Sequence, residues 1–483
     1  MKKEQIKIKP VQVVFTSIPF TDTTRPLMAP GALKSIAIQN GYSCVALDLN
    51  AKYLNEITNH SQTNLILDFL KNGYLDKKVA EYVEDMIDRI TDDILMYNPQ
   101  VVGLSVFTYD CRVSAQYISW VLKNKNPNLK ILCGGSGLYE NFTGKSIIDQ
   151  SLLDNKIIDM CIRGDGEKPL EDFLKTNCDV EKIKNKTWPQ LTNQELNSLP
   201  IPNYEDYDFS FYPRFEIPIQ GSRGCVRNCT FCDVHVHWKN FTWKSGEKIF
   251  NEMTEFKTKF NYNKFHFTDS LINGNMKEYR RMIELLSDYN TQNPKDPITW
   301  TSEFIIKPKN QFTEEDWRLT KQSGCSRVVT GIESLSEKAR FHMGKKFTND
   351  DLEFALEMCF KYDIQLLFLM IVGYITETEQ DIIDAQKWWK LHTKYKNIIR
   401  VNVGTPLGIL KNTPLAENFH SLGLEWVGKN DQDWKNNNSD PQTRVKWYKM
   451  ISQTLIDLGF IEYHPHDNHF IIEKIQGAYN EVV

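Results

Sequence analysis

Apolar residues along the chain gather in short continuous runs, separated by longer stretches in which they recur every three or four positions. The runs Val11 to Ile18, Cys44 to Leu49, Val101 to Phe107, Lys130 to Gly135 and Met160 to Gly164 read as strands. Between them lie amphipathic segments, clearest at Glu81 to Tyr97, where Met86, Ile87, Ile90, Ile94 and Tyr97 share one helical face. Apolar strands alternating with helices predict a parallel sheet covered on both faces. This is a doubly wound, Rossmann-like α/β domain over residues 1–176, with ligand space beyond the carboxyl ends of its strands.

Residues 177–215 break the pattern and read as a linker, with Pro200, Pro202 and Pro213 interrupting regular structure. Tyr204, Tyr207, Phe209, Phe211 and Tyr212 in that segment read as packed interface rather than a substrate cage. The alternation restarts with strands predicted at Glu216 to Gln220, Lys264 to Asp269, Ile298 to Phe304, Arg327 to Ser334, Ile364 to Gly373 and Asn397 to Thr405. Helices are predicted at Ser245 to Phe260, Lys277 to Tyr289, Glu314 to Ser323, Asn349 to Tyr362 and Glu379 to Tyr395. Six β/α units are too few to close an eight-stranded barrel, so residues 216–413 read as an incomplete one. Residues 414–483 form a small α+β extension: a helix at Val445 to Leu458, then a hairpin with His464, His466 and His469 at its tip. A metal site on those histidines is the other reading.

The loops after the first group of strands hold Pro19-Phe20, Arg25-Pro26 and Pro30-Gly31, then Thr108-Tyr109, Gly134 to Gly137, and Arg163 to Glu167. Thr108, Gly134, Gly135, Ser136 and Gly164 are the ligand-binding candidates there, since glycine lets backbone approach a bulky group closely. Each glycine alone is as well explained by a turn.

The densest chemistry lies just after the sixth predicted strand, where Cys225, Cys229 and Cys232 stand in a C-x3-C-x2-C spacing. Three thiolates on one loop can hold three corners of an iron-sulfur cube and leave one iron open. A closed zinc site completed by His235 or His237 is the alternative. An odd number of cysteines, with no secretory features around them, argues against a disulfide. The net charge of -4 offers no basic field for a nucleic-acid backbone. No run reaches the roughly 18 apolar residues of a membrane span. A cytosolic protein with its ten cysteines reduced is expected.

The cysteine loop, with Phe231 as its aromatic, resembles the signature loop of the radical S-adenosylmethionine (radical SAM) enzymes. The resemblance implies a [4Fe-4S] cluster on Cys225, Cys229 and Cys232, with S-adenosylmethionine chelated at the open iron. It implies reductive cleavage to a 5′-deoxyadenosyl radical, an external one-electron reductant of flavodoxin or ferredoxin type, and a partial (β/α)6 barrel. The segments "FHFTDS", "GIES" and "FLMIVGYITETEQD" resemble the strand-two, strand-four and strand-five signatures of that class, with Ser270 and Ile375 departing from them. On that basis Asp269, Glu303, Glu333 and Ser334 are candidates for the methionine ammonium or the ribose hydroxyls, although strand-end carboxylates also cap helices. Gly373 and Phe231 would bring backbone to adenine. Arg223 and Arg227 flank the cluster, and Arg327 would meet the carboxylate or form an ordinary salt bridge.

The segments "VVGLSVFTY", "ILCGGSG" and "CIRGDGE" resemble the cobalamin-binding-type domain found ahead of one radical SAM class. The Asp-x-His-x-x-Gly motif of classical cobalamin enzymes is absent: Asp233-Val234-His235 begins like it but has Trp238 at the glycine position. Cobalamin would therefore bind without a histidine ligand. A second cluster on three N-terminal cysteines, as in methylthiotransferases, would draw on Cys44, Cys111, Cys133 and Cys161, but Cys111 and Cys133 fall near strand ends and Cys44 and Cys161 within or at the start of strands, which disfavours a common apex; Cys325 and Cys359 read as buried small hydrophobes. The resemblance implies methyl transfer to an unactivated carbon of a small-molecule or peptide substrate that the residues do not name. The alternatives are rearrangement, cyclisation or methylthiolation on the same scaffold, or a non-catalytic iron-sulfur or cobalamin sensor.

Overall fold

The computed structural model describes residues 9–20, 25–138, 150–212 and 216–461. The chain divides into two compact units, Met1–Ile219 with Thr242–Lys244, and Gln220–Phe241 with Ser245–Val483. Residues 177–212 thus belong with the first unit, and residues 414–461 with the second. The histidine hairpin lies outside the described residues.

In the first unit, β1 (Val13–Ser17), β2 (Cys44–Asp48), β3 (Val101–Ser105), β4 (Lys130–Gly134) and β5 (Met160–Ile162) form one parallel sheet in the order β2-β1-β3-β4-β5. Every residue of β1 is buried, as a central strand covered on both faces requires. One face packs Val14, Val102, Leu104 and Ile131 against helices that include Ala80–Leu95; the other packs Val13, Phe15, Val101 and Leu132 against Phe173 and Leu174. Gly103 sits inside β3 because a Cβ there would overlap the Phe15 ring. Pro30 and Gly31 prove to be helical, in the first turn of Met28–Gln39, where proline's missing N–H costs nothing. Gly31 makes room for Tyr204, whose hydroxyl donates to Pro218 O at 2.7 Å. Tyr207 similarly donates to Leu27 O at 2.8 Å, and Tyr212 to the Asp48 carboxylate, so the aromatic run packs onto its own unit.

Strand β6 (Ile217–Ile219) closes the first unit's chain. In the second unit, β7 (Lys264–Phe267), β8 (Thr299–Glu303), β9 (Cys325–Glu333), β10 (Gln365–Val372) and β11 (Ile399–Pro406) run parallel in the order β11-β10-β9-β8-β7, and the sheet does not close into a barrel. The intervening helices start on side-chain caps, as at Ser245, Thr313 and Thr348, which is why their first residues were readable. Cys325 begins β9 and Cys359 lies in the helix Asn349–Lys361, both buried. After β11 the chain forms the helix Pro441–Leu458, whose buried Arg444 stacks 3.6 Å from the centroid of the buried Trp434 ring. No helix among the described residues is long and apolar enough to cross a membrane.

Candidate functional site

The cysteine loop begins where Gly221 N–H donates to Asp269 Oδ2 at 2.9 Å, so Asp269, 3% exposed at the end of β7, fastens its entry. Gly224 turns the loop at φ +78°, where a Cβ would lie 2.6 Å from Asn240 O. Arg227 N–H then donates to Cys225 Sγ at 3.4 Å, a bond that favours a thiolate. Farther on, Thr230 N–H donates to Met343 O at 3.0 Å, and Thr230 Oγ1 pairs at 2.7 Å with the hydroxyl of Tyr374. Tyr374 is fully buried and also meets His342 Nδ1 at 2.8 Å. Four elements therefore grip the loop: the end of β7, the helix Glu337–Met343, the segment after β10, and the helix Pro414–Glu417, whose Leu415 N–H donates to Thr230 O at 2.9 Å.

All three cysteines are free thiols, Cys229 buried and the other two half-buried. Burial pushes each pKa up, Cys232 to about 11, while the Lys345 ammonium pulls Cys225 and Cys229 back down. Among the described residues, no three His, Cys, Asp or Glu side chains close to the spacing that one metal ion needs. His235 Nε2 is engaged with Arg227 O at 2.5 Å, and His237 Nε2 lies 3.7 Å from Asp233 Oδ2. With both histidines so engaged, neither supplies a ready fourth ligand for a closed Cys3His zinc site.

Strand ends surround this loop in sequence order. Glu333 ends β9 at φ +60°, and its Oε1 lies 2.6 Å from Lys345 Nζ. Ser334 donates to Glu377, which the sequence reading passed over. The carboxyl of Glu377 is 4% exposed and accepts from Gly373 N–H at 2.8 Å and Tyr374 N–H at 2.9 Å. Burial nevertheless pushes it up to about 7. Gly373 has φ +80°, and the space a Cβ would take is filled by the Arg444 side chain. Packing of the Arg444 side chain thus requires a glycine here, whatever its backbone contacts. Phe231 packs with Ile371 against the cluster of Tyr374, Ile375, Leu407 and Trp434. Glu303 ends β8 half-buried, and its carbonyl accepts from Ile272 N–H at 3.0 Å. Arg327 stands near the start of β9, six residues before Glu333, which is roughly 20 Å away along an extended strand. Arg223 donates from Nε to Gln220 Oε1 at 2.7 Å.

In the first unit, Gly135 and Gly137 are required by backbone, since a Cβ on either would collide with carbonyls of the Val106 to Thr108 loop. Ser136 donates to Phe107 O, and Thr108 Oγ1 donates to Phe20 O at 3.3 Å. Gly134 makes only ordinary contacts, while Gly164, at φ +83°, has no atom of the described residues within 4 Å of a Cβ position. Cys133 and Cys161 are register partners on β4 and β5, whereas Cys44 sits on the opposite edge strand, about 19 Å away at sheet spacing. Those thiols share no common apex.

The family model that matches residues 219–388 is that of the radical SAM superfamily. The chain thus carries a radical SAM domain over residues 219–388. It is 25% identical over 346 residues to an uncharacterized methyltransferase of Pyrococcus horikoshii, covering 66% of this chain and 72% of that one. It is 19% identical to the anaerobic magnesium-protoporphyrin IX monomethyl ester cyclase of Cereibacter sphaeroides, over 66% of this chain and 54% of the cyclase. Among solved structures, the cobalamin- and [4Fe-4S]-bound methyltransferase TsrM from Kitasatospora setae matches with a TM-score of 0.64 at 14% identity, covering 95% of this chain and 90% of that one. The cobalamin-dependent radical enzyme OxsB matches with a TM-score of 0.63 at 14% identity, over 92% and 67%. These two likenesses establish the fold of both units. The chain is a radical SAM enzyme, of a family that uses a [4Fe-4S] cluster and S-adenosylmethionine. Lys345, Glu377 and Tyr374 escaped notice in the sequence because none stands in the cysteine motif or at a strand end.

Proposed function

We propose that this chain is a cobalamin-dependent radical SAM methyltransferase acting on an unactivated carbon. The carrying observation is three cysteines in C-x3-C-x2-C spacing inside the radical SAM match, set in a fold shared over 95% of the chain with a cobalamin- and cluster-binding methyltransferase. The cluster, when bound, supplies one electron to S-adenosylmethionine, and cobalamin supplies a methyl group. The protein's own part is to hold them: Cys225, Cys229 and Cys232 as iron ligands, with Arg227 N–H on the first sulfur. Asp269 fastens the loop, and the Ser334–Glu377 bridge ties the end of β9 to the turn after β10.

For cobalamin, the candidates in the first unit are Gly164, with no atom of the described residues within 4 Å of a Cβ position, and Thr108 and Ser136 on the loops after β3 and β4. Its sole histidine in residues 1–219 is His60. His60 follows the helix Leu49–Thr58, which starts at the end of β2, so it lies about 15 Å from the strand ends. Its Nδ1 accepts from Gln62 N–H at 3.0 Å. Cobalt held there would have no imidazole ligand from this unit. A cyclisation or rearrangement remains the second reading, favoured by the likeness to the Cereibacter cyclase.

The test is anaerobic reconstitution of the full chain with iron, sulfide and cobalamin, followed by reduction with S-adenosylmethionine present. A methyltransferase yields both 5′-deoxyadenosine and S-adenosylhomocysteine once substrate is found, and a cyclase only the former. Replacing any of Cys225, Cys229 or Cys232 by Ala should abolish deoxyadenosine and lower bound iron; retained cleavage sinks the assignment.

A further inference from the structure

Lys345 has no part in the binding scheme above, yet the fold takes trouble to place it. Its side chain is 15% exposed, and burial by itself drives an ammonium toward its neutral form. Glu333 at 2.6 Å, helped by the nearby sulfurs of Cys229 and Cys232, more than reverses that and keeps it charged. Its Nζ also stands 5.7 Å from the centroid of Phe231, the residue beside the last cluster cysteine.

Four local features build this pair. Gly331 has no side chain, and a Cβ there would overlap Glu333 Oε1 and lie 2.7 Å from Lys345 Nζ. The pairing of β9 with β10 shifts register between Gly331 and Glu333. Glu333 then adopts φ +60°, a conformation rarely taken by residues other than glycine. Finally, the helix Glu337–Met343 ends on Gly344 at φ +88°, and Lys345 N–H folds back to Arg340 O at 2.9 Å. Gly344 packs against the cysteine loop, 3.7 Å from Cys229 Cα when a Cβ is added, so the lysine enters the site from the same turn that touches the loop.

A lysine–glutamate pair is neutral overall, so its effect depends on which charge is nearer the sulfurs. Lys345 follows directly on Gly344, whose added Cβ would lie 3.2 Å from Asn228 O and 3.7 Å from Cys229 Cα, and its Nζ stands over the ring of Phe231, the neighbour of Cys232. The lysine is the partner rooted beside the cysteine loop. One-electron reduction adds a negative charge to a cluster, and a buried cation lowers the free energy of the reduced form.

We propose that Lys345, clamped on Glu333 in the gap left by Gly331, is a positioning residue for electron entry: it fixes a positive charge beside the cluster sulfurs and raises the cluster's reduction potential. This rests on the reading of Cys225, Cys229 and Cys232 as cluster ligands. The electron comes from an external one-electron donor, and no proton or bond is exchanged in the step.

The experiment is a redox titration of the reconstituted full chain without S-adenosylmethionine, followed by electron paramagnetic resonance, with iron and sulfide counted in each sample. Lys345→Met, at wild-type iron content, should show a reduced-to-oxidised ratio about tenfold lower at a given potential, a midpoint about 59 mV more negative. Lys345→Arg should restore most of it. Glu333→Gln, titrated at pH 7 or below so that the negative sulfurs of Cys229 and Cys232 still hold the ammonium protonated, should shift the midpoint the other way, because it frees the cation from its counter-charge. A merely structural ion pair would move both variants in the same direction, and that result overturns the proposal. So does an unshifted midpoint in Lys345→Met with a full cluster. If Lys345→Met takes up no iron, Glu333→Gln decides: a more positive midpoint supports the proposal, and an unchanged or more negative one overturns it. Wild-type protein that binds no iron removes the cluster reading itself, and the proposal with it.

Discussion

Glu377 shows how a single buried carboxyl can set a pH dependence. Its pKa moves from an ordinary 4.5 to about 7, mainly because burial penalises the anion. In the unfolded chain the group ionises near its ordinary value, so between pH 4.5 and 7 the folded state binds more protons than the unfolded one. Stability therefore falls as pH rises through that window, by roughly 3 kcal/mol in total if no other group compensates. Glu377→Gln mimics the neutral acid: its carbonyl can accept from the Gly373 and Tyr374 amides and its NH2 can donate to Ser334 Oγ. The variant should match the wild type near pH 5 and exceed it by a widening margin up to pH 8, in thermal or denaturant midpoints. Parallel curves for the two proteins would sink the assignment. This residue was not legible beforehand because "TETEQD" reads as a helix start, and Thr378 with Asp381 does form a capping box there.

At the scale of elements, the second unit is tied together where strands end. Ser334 and Glu377 join the ends of β9 and β10, and Arg444 from the helix Pro441–Leu458 lies over Gly373 while donating to Gln432 O at 2.8 Å and Trp434 O at 2.6 Å. Gly373→Ala must take up φ +80° and displace that arginine, so the cost should exceed the 1 to 3 kcal/mol or so of local backbone strain alone. Gly459→Ala is the control, with φ +78° but no neighbour among the described residues within 4 Å of the new Cβ. Denaturant midpoints should drop clearly further for Gly373→Ala than for Gly459→Ala, and amide exchange should quicken in the helix Pro441–Leu458. Equal losses would show that Arg444 yields without penalty. The strands themselves were legible to within a few residues, as with β10, expected from Ile364 to Gly373 and found at Gln365–Val372. The packing of Gly373 was not, because the arginine that fills its space comes from the far end of the chain.

For the molecule as a whole, the fold of a cobalamin-binding radical enzyme is spread over both units, and the first unit carries a single histidine placed away from its strand ends. Cobalamin added to the full chain should bind with the spectrum of a corrinoid lacking an imidazole ligand, and His60→Ala should leave that spectrum unchanged. A change on that substitution would mean that the histidine reaches cobalt and that the candidate site at Gly164 is misassigned. What the amino-acid order determined alone is whatever depends on neighbours in the chain: the alternation of strands and helices, the caps, and three thiols close together on one loop. These follow from periodicity and short spacing, which survive without knowledge of the fold. Tertiary structure decided which charges meet and which glycines are filled. The Lys345–Glu333 pair needs the turn at Gly344 after the helix Glu337–Met343 to close it, Glu377 owes its pKa chiefly to burial, and the space beside Gly373 is filled by a residue from a distant helix. Burial and electrostatic pairing are properties of space around a group, and a linear sequence carries that space only after it has folded.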